Sequence, residues 1–226
     1  NKFTPRQKLW YIRAKEIVIS TGSLERPLIF GNNDRPGILL SSAAKEYLKV
    51  YGVLVGRKPI IFTNNDSAYD TAIEFKKNGI NPIILDTRSN STSSVVNEVK
   101  EQNIEIRFSH AVIVAKGYKK VKAAEIGKLK LDKTGYEKTE TINCDCICVS
   151  GFWTPTVHLS SQSGNKLQFN EELDAFVPNQ TKQQETAVGS ANGSFTLEES
   201  LTKGFDTGYE LSKKINKNDT KLSVPK

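Results

Sequence analysis

The sequence predicts an α/β fold, and two patterns lead to this class. An apolar run at 60–62 enters a polar turn and a helical pattern, and a second apolar run at 82–85 ends in Asp86, 23 residues after Thr63. This is the spacing of a Rossmann-like βαβ unit. Apolar and polar residues then alternate from 111 to 142, with glycines at intervals. That alternation is typical of an antiparallel β-meander.

Two strands and a helix are expected before this unit. Apolar, aromatic and β-branched residues favour strands at 9–13 and 15–20. Ser41 or Ser42 can cap a helix that ends at Gly52. Within the unit itself, Gly79 is the expected end of the helix, because glycine tolerates the left-handed conformation of a C-terminal cap.

The elements after Asp86 extend the same plan. A helix at 95–102 and a strand at 104–108 make three parallel strands, and a further strand is expected at 144–149. Weaker signals follow, and they predict a hairpin at 166–169 and 175–177, a strand at 186–189 and a helix at 197–215.

These elements predict a nested organisation. Residues 50–150 form an inserted NAD-binding-like domain of the Rossmann type with its β-meander. Residues 1–46 and 151–226 form two parts of a partial outer FAD/NAD-binding-like domain.

Composition restricts the classes of partner. The 226 residues are 37% hydrophobic, enough for ordinary cores, and no apolar run approaches the roughly 20 residues of a membrane span. Three cysteines, an odd number, indicate a reducing compartment, so we expect a cytoplasmic protein. The formal charge of +7 comes from dispersed lysines, which indicates a solvated surface and no nucleic-acid partner. Methionine is absent, so we expect Asn1 to lie inside a longer chain.

The turn at 63–66 is the first candidate cofactor site. In a Rossmann unit this turn binds pyrophosphate at the helix N-terminus. The glycines of that fingerprint would fall on Thr63, Asn65 and Ala68, and Asp66 places a negative charge where the phosphates would lie. Asn65 is therefore either a pyrophosphate contact or the cap of its own helix.

Asp86 is the second candidate, because it lies where a Rossmann acid hydrogen-bonds the adenosine ribose. The alternative is that Asp86 only forms the turn after its strand. Cys144, Cys146 and Cys148 are expected on one face of a strand as buried, inert thiols, since a zinc site would need a fourth ligand. No residue is predicted to be catalytic or to bind a metal.

Five strings together resemble one family. They are 25–27 (Glu-Arg-Pro), 33–37 (Asn-Asp-Arg-Pro-Gly), 63–69 (Thr-Asn-Asn-Asp-Ser-Ala-Tyr), 149–159 (Val-Ser-Gly-Phe-Trp-Thr-Pro-Thr-Val-His-Leu) and 189–193 (Gly-Ser-Ala-Asn-Gly). As a set they resemble the α subunit of heterotetrameric sarcosine oxidase, within the two-dinucleotide-binding-domain flavoprotein superfamily. That subunit is about four times longer, with a glycine-rich motif before this region and a folate-binding domain after it. The resemblance therefore implies an internal fragment.

The resemblance also implies a function and a set of partners. The complex oxidatively demethylates sarcosine to glycine, and its α subunit binds NAD while the flavin lies largely on or against a β subunit. Thr21, Gly22, Gly189, Ser190 and Ala191 lie where backbone passes close to the dinucleotide of the outer domain. Ser190 replaces the aspartate that binds the ribityl chain of FAD, which favours NAD. Alternatively these glycines only form tight turns, and no cofactor is bound.

Two rival functions stay open. One is a non-enzymatic Rossmann-like scaffold or subunit-docking module, and the other is an opine or cyanide-forming dehydrogenase subunit. Under the leading hypothesis the fragment is inactive alone, docks a flavin-bearing β subunit and self-associates through apolar surface near Val18 and Val188.

Overall fold

The computed structural model describes residues 5–130, 132 and 134–216. In chain order the strands are β1 (Ile17–Ile19), β2 (Ser23–Glu25), β3 (Ile38–Leu40), β4 (Pro59–Thr63), β5 (Ile83–Asp86), β6 (Glu105–Phe108), β7 (His110–Lys116), β8 (Ala123–Leu129), β9 (Tyr136–Asn143), β10 (Cys146–Ser150), β11 (Trp153–Pro155), β12 (Leu167–Asn170), β13 (Ala175–Pro178) and β14 (Glu185–Ala187). The helices are α1 (Ser41–Tyr51), α2 (Tyr69–Lys77), α3 (Ser94–Glu101), α4 (His158–Gln162) and α5 (Leu197–Asn216), with 3₁₀ turns at Asp66–Ala68 and Gly189–Asn192.

The chain divides into two compact units. The inner unit is Glu25–Trp153, and the outer unit joins the chain before residue 25 to the chain after residue 153. Residues 25–46, which the sequence analysis assigned to the outer domain, lie in the inner unit. The reason is that β3 pairs in parallel with β10 and α1 packs against α2 and β10.

A five-stranded parallel sheet forms the centre of the inner unit, in the order β3-β10-β4-β5-β6. Strand β4 is buried at all five residues, because layers cover both faces of the sheet. Successive side chains alternate between two apolar clusters: Ile61 packs in one with the helices, and Ile60 and Phe62 pack in the other.

The second cluster contains the antiparallel sheet β7-β8-β9, which is the predicted meander. Helix α1 ends at Gly52, whose φ of 63° is left-handed, and Gly79 adopts a φ of 77° just beyond α2. Both helix ends were predicted from these glycines. The α/β class with a Rossmann-like parallel sheet is confirmed.

The two ends of the inner unit are joined by hydrogen bonds. The backbone N–H of Arg26 donates to the carbonyl of Phe152 at 3.0 Å, and the N–H of Gly151 donates to the carbonyl of Arg26 at 2.6 Å. The side chain of Arg26 adds a third bond, from Nε to the Gly151 carbonyl at 2.8 Å. The chain therefore enters and leaves the inner unit at one place.

In the outer unit, β1 pairs in parallel with β14, and β12 pairs with β13 as the predicted hairpin. The long helix α5 covers the predicted range at 197–215. No helix among the described residues combines the length and the apolar character of a membrane span.

Two expectations are wrong, and one helix was not expected. Residues 9–13 form no strand. The side chains of Leu9–Ile12 are all apolar or aromatic, as in a strand, but they are exposed. Helix α4 was not predicted. The three cysteines do not share one face: Cys146 and Cys148 pack in the helix-side cluster, whereas Cys144 packs in the other, because a bend at Asp145 breaks the alternation before β10 begins.

Candidate functional site

The turn after β4 lies at the carboxyl edge of the inner sheet, where nucleotides bind in folds of this kind. Asn65 has an extended backbone, and its side-chain Oδ1 accepts hydrogen bonds from the N–H of Ser67 at 3.0 Å and from its hydroxyl at 2.6 Å. Thr63 is buried, and its hydroxyl donates to the carbonyl of Asn65 at 3.0 Å. The side chain of Asn65 thus caps the helical start, the second of the two roles that its position allows.

The amide nitrogen of Asn65 reaches the neighbouring strand. Its Nδ2 donates to the carbonyl of Ser150 at 3.2 Å and to the Ser150 hydroxyl at 3.1 Å, at the end of β10. The strand order reverses between β4 and β10, so this is the crevice in which a Rossmann sheet binds its ligand. Trp153 donates from its indole Nε1 to the Ser67 hydroxyl at 2.9 Å. The polar groups of this crevice therefore already form hydrogen bonds with side chains of the protein.

Asp86 lies at the end of β5, directly beside Thr63 in the parallel register, and its side chain is fully buried. Its carboxylate accepts from the Tyr69 hydroxyl at 2.7 Å and from the backbone N–H of Arg88 at 2.9 Å. The Arg88 guanidinium donates to it from Nε at 3.1 Å and from Nη2 at 2.7 Å, and Nη2 also donates to Asp66 at 2.7 Å. Arg88 is therefore a bridge between two carboxylates.

The pKa shifts follow from these bonds. Burial raises the pKa of Tyr69, and the adjacent Asp86 carboxylate raises it further. For Asp66, burial acts to raise the pKa, but hydrogen bonds from Arg88, Ser93 and Ser91 outweigh it and hold the pKa below 3.8. Tyr69 therefore stays a neutral phenol and Arg88 a guanidinium cation across the neutral pH range, since the pKa of each is raised. Sequence spacing placed Asp86 here, but it gave no sign of Tyr69 as its partner.

The outer unit brings together the two predicted backbone segments at 21–22 and 189–191. Strands β1 and β14 run in parallel, and the N–H of Val188 donates to the Ile19 carbonyl at 2.9 Å, so both segments follow the carboxyl ends of paired strands. A Cβ added to Gly22 would lie 3.9 Å from the Ser190 hydroxyl. The loops carrying Gly22 and Ser190 are therefore neighbours.

Backbone conformation in both loops requires small residues. Gly22 and Gly189 have φ values of 76° and 65°, which favour glycine. No side chain caps the 3₁₀ turn that begins at Gly189. Thr21 donates from Oγ1 to the carbonyl of Thr156 at 2.7 Å, a contact that the sequence analysis missed. Ala191 is buried beneath the turn. The other two predicted contacts, Asn65 and Asp86, belong to the inner unit.

Metal ligands do not cluster in the part of the chain that the structure describes. The three thiols are free and buried. Burial raises the pKa of Cys144 to about 12, with smaller contributions from Cys146 and Asp145. The Cys144 thiol is thus held in the unreactive protonated form.

No protein-family model matches the chain. The sarcosine oxidase α subunit of Corynebacterium sp. strain P-1 is 31% identical over 205 residues, which cover 90% of this chain and 21% of that protein. The α subunit from Rhizobium meliloti strain 1021 is 35% identical over 189 residues, 83% of this chain and 18% of the relative. Over most of its own length the chain is therefore homologous to the sarcosine oxidase α subunit. This confirms the resemblance inferred from the five strings, and the chain spans about a fifth of the length of these α subunits.

Solved structures share the fold of this α-subunit homologue. Thioredoxin reductase of T. acidophilum has a TM-score of 0.64 at 20% identity, covering 83% of this chain and 61% of its own. The thioredoxin reductase of Lactococcus lactis has a TM-score of 0.67 at 17% identity, covering 90% and 67%. L-proline dehydrogenase from P. horikoshii has a TM-score of 0.54 at 21% identity, covering 94% and 40%.

Proposed function

We propose that this chain is the dinucleotide-holding part of an oxidoreductase subunit, and that its outer unit binds NAD. The observation that carries the proposal is the position of Gly22 beside Ser190, after the ends of two paired parallel strands. Ligands of open α/β sheets bind outside these ends, where the backbone leaves room for a pyrophosphate.

The residues of the outer site suit a dianionic pyrophosphate. Gly22 and Gly189 present backbone without side chains, and Ser190 offers a hydroxyl without a negative charge. Successive backbone N–H groups in such turns bind anions. Ser190 lacks the carboxylate that binds the ribityl chain of FAD in the flavoproteins of this superfamily, and this favours NAD over FAD at this site.

The reaction proposed for the whole complex is the oxidative demethylation of sarcosine to glycine. The curated relatives carry the name of that oxidase, and they are named as subunits, which supports a complex with further chains. In this proposal the flavin lies on a β subunit. This chain contributes the NAD site and no catalytic side chain, so it does not oxidise sarcosine alone.

A scaffold role is the second candidate, and it applies to the inner unit. Asn65 caps its own helix there and bonds Ser150 across the crevice, while Arg88 bridges Asp86 and Asp66. These groups satisfy the donors and acceptors that a nucleotide would use. The inner unit then supports the fold and docks partner subunits without binding a cofactor.

Titration calorimetry with NAD tests the outer site. The parent chain is expected to bind, and Ser190→Glu is expected to weaken binding at least about tenfold, because it sets a carboxylate against the pyrophosphate. The matched control is Ser161→Glu, which adds the same charge at an exposed residue of α4 in the same unit. Equal affinity of both variants, or no heat with the parent chain, would contradict NAD binding by this unit.

A further inference from the structure

Helix α1 has an exposed apolar face that no element among the described residues covers. Ser41 and Ala44 are buried and Leu48 packs against the helix-side cluster, which fixes the inward face. At 100° per residue, Val50 lies at the centre of the outward face. Val50 is 65% exposed, and Tyr47 and Tyr51 are 49% and 64% exposed.

The two tyrosines form one side of this face. They are one helical turn apart, and their ring centroids are 6.2 Å apart. With Ala43 and Glu46 they line a shallow cleft of about 360 Å³. An exposed apolar patch with a cleft of this kind is typical of a protein–protein contact.

Charged residues form the other side of the face. Glu46 and Lys49 are exposed, lie one turn apart on the same side of Val50, and have no ion-pair partner among the described residues. Lys45 differs, because its Nζ lies 3.5 Å from Asp70 Oδ2. The unpaired charges are thus confined to the edge of the apolar stripe.

This arrangement is complementary to itself. Two helices that pack antiparallel about a twofold axis place like edges side by side, so Glu46 of one copy meets Lys49 of the other, and the reverse pair forms by symmetry. The same operation stacks the tyrosine edges together. We infer that the face of α1 formed by Glu46, Tyr47, Lys49, Val50 and Tyr51 docks on the same face of a second copy of this chain.

The size of the face sets the strength of this contact. Three apolar side chains per copy are far fewer than the 20 to 30 residues of a stable interface, so α1 alone gives a weak dimer whose population depends on protein concentration. The inference is independent of the cofactor proposal. It also differs from the self-association expected near Val18 and Val188, which lie in the outer unit.

Charge reversal in sedimentation equilibrium tests the contact, with the chain at 10 µM to 1 mM. Glu46→Lys and Lys49→Glu are each expected to weaken dimerisation about tenfold, because each replaces two attractive pairs with two repulsive ones. The double variant Glu46→Lys/Lys49→Glu restores both pairs and is expected to dimerise like the parent. Both residues are exposed, and circular dichroism checks that every variant is folded.

A control variant separates α1 from the other exposed apolar segment. Trp10→Ser removes a 75% exposed indole from the outer unit and is expected to leave dimerisation unchanged. Several results overturn the inference: a monomeric parent at 1 mM, single reversals that associate like the parent, a double variant that stays weakened, or loss of association in Trp10→Ser.

Discussion

The bridge formed by Arg88 gives a quantitative prediction for the stability of the inner unit. The substitution Arg88→Met keeps the aliphatic stem and removes the guanidinium donors to Asp86 and Asp66. Asp86 is fully buried and would keep only the Tyr69 hydroxyl and one backbone N–H. A buried carboxylate that loses its cation is destabilising, because its desolvation is no longer offset.

The expected magnitude follows from burial. Removing one partner of a fully buried pair costs about 3–5 kcal/mol, and the 30% exposure of Arg88 and the two surviving donors reduce this to about 2–3 kcal/mol. The control is Arg107→Met. Arg107 also bonds two carboxylates, Glu105 and Glu140, but both are about half exposed, so about 0–1 kcal/mol is expected.

Urea unfolding followed by tryptophan fluorescence measures both values. Trp10→Phe in the background leaves Trp153 as the single indole, and Trp153 bonds Ser67 beside the cluster. The midpoint should fall for Arg88→Met with an unchanged slope. A loss below about 0.5 kcal/mol, or one equal to that of Arg107→Met, would show that Arg88 does not offset the burial of Asp86.

Three further predictions concern single groups. Tyr69→Phe should cost about 1–2 kcal/mol at pH 7, because Asp86 loses a donor. Because the pKa of Tyr69 is raised in the folded chain, the stability that its hydroxyl contributes is complete below pH 10 and is lost as pH rises through the folded value. Urea midpoints of parent and variant should therefore converge as pH rises past 10. Asn65→Ala should destabilise the inner unit by about 1 kcal/mol through loss of its cap, seen as a lower thermal midpoint; an unchanged midpoint would count against capping. Burial raises the pKa of Cys144 to about 12, so iodoacetamide at pH 8 should label it only in denaturant, and labelling of the native chain would contradict its burial.

The Asp66 carboxylate should make the stability of the inner unit depend on pH in the acid range. Its folded pKa is lowered, so its stabilising contribution is present above its unfolded value of 3.8 and is lost as pH falls through the folded value. Arg88→Met should weaken this dependence, because only the hydrogen bonds from Ser91 and Ser93 then remain to lower the pKa of Asp66. Urea midpoints of the parent that fall no faster than those of Arg88→Met below pH 4 would contradict this role for Arg88.

The fold was predictable where a pattern is local. Strand β4 reads as a continuous apolar run because both of its faces are covered, and Gly52 and Gly79 mark helix ends by a conformation that glycine favours. Residues 9–13 have the composition of a strand, but a strand also needs a partner for its backbone, and composition does not supply one. The position of Cys144 depended on a bend at Asp145, whose carboxylate accepts from the N–H groups of Arg57 and Lys58.

The positions of the candidate site residues were predictable from the sequence, but their hydrogen-bond partners were not. Spacing located Asp86 at the end of β5, yet the long side chain of Arg88 turns back to bond it, and no spacing rule contains that rotamer. The amide of Asn65 spans from β4 to Ser150, a pair separated by 85 positions in the chain. Such contacts depend on the parallel register of β4 and β10, which only the folded sheet defines.

The hydrogen bonds that join Arg26 to Gly151 and Phe152 have a consequence for the order of folding. Ile17 of β1 must find Glu185 of β14 across the whole inner unit, and closing a loop of that length in an unfolded chain costs about 4 kcal/mol of entropy. Once the inner unit has folded, the hydrogen bonds between Arg26 and Gly151 hold its two ends together, and the effective loop shortens from about 168 to about 43 residues, which lowers this cost by about 1 kcal/mol. The parallel pair of the outer unit then closes a shorter loop, so β1 and β14 should pair more readily once the inner sheet has formed.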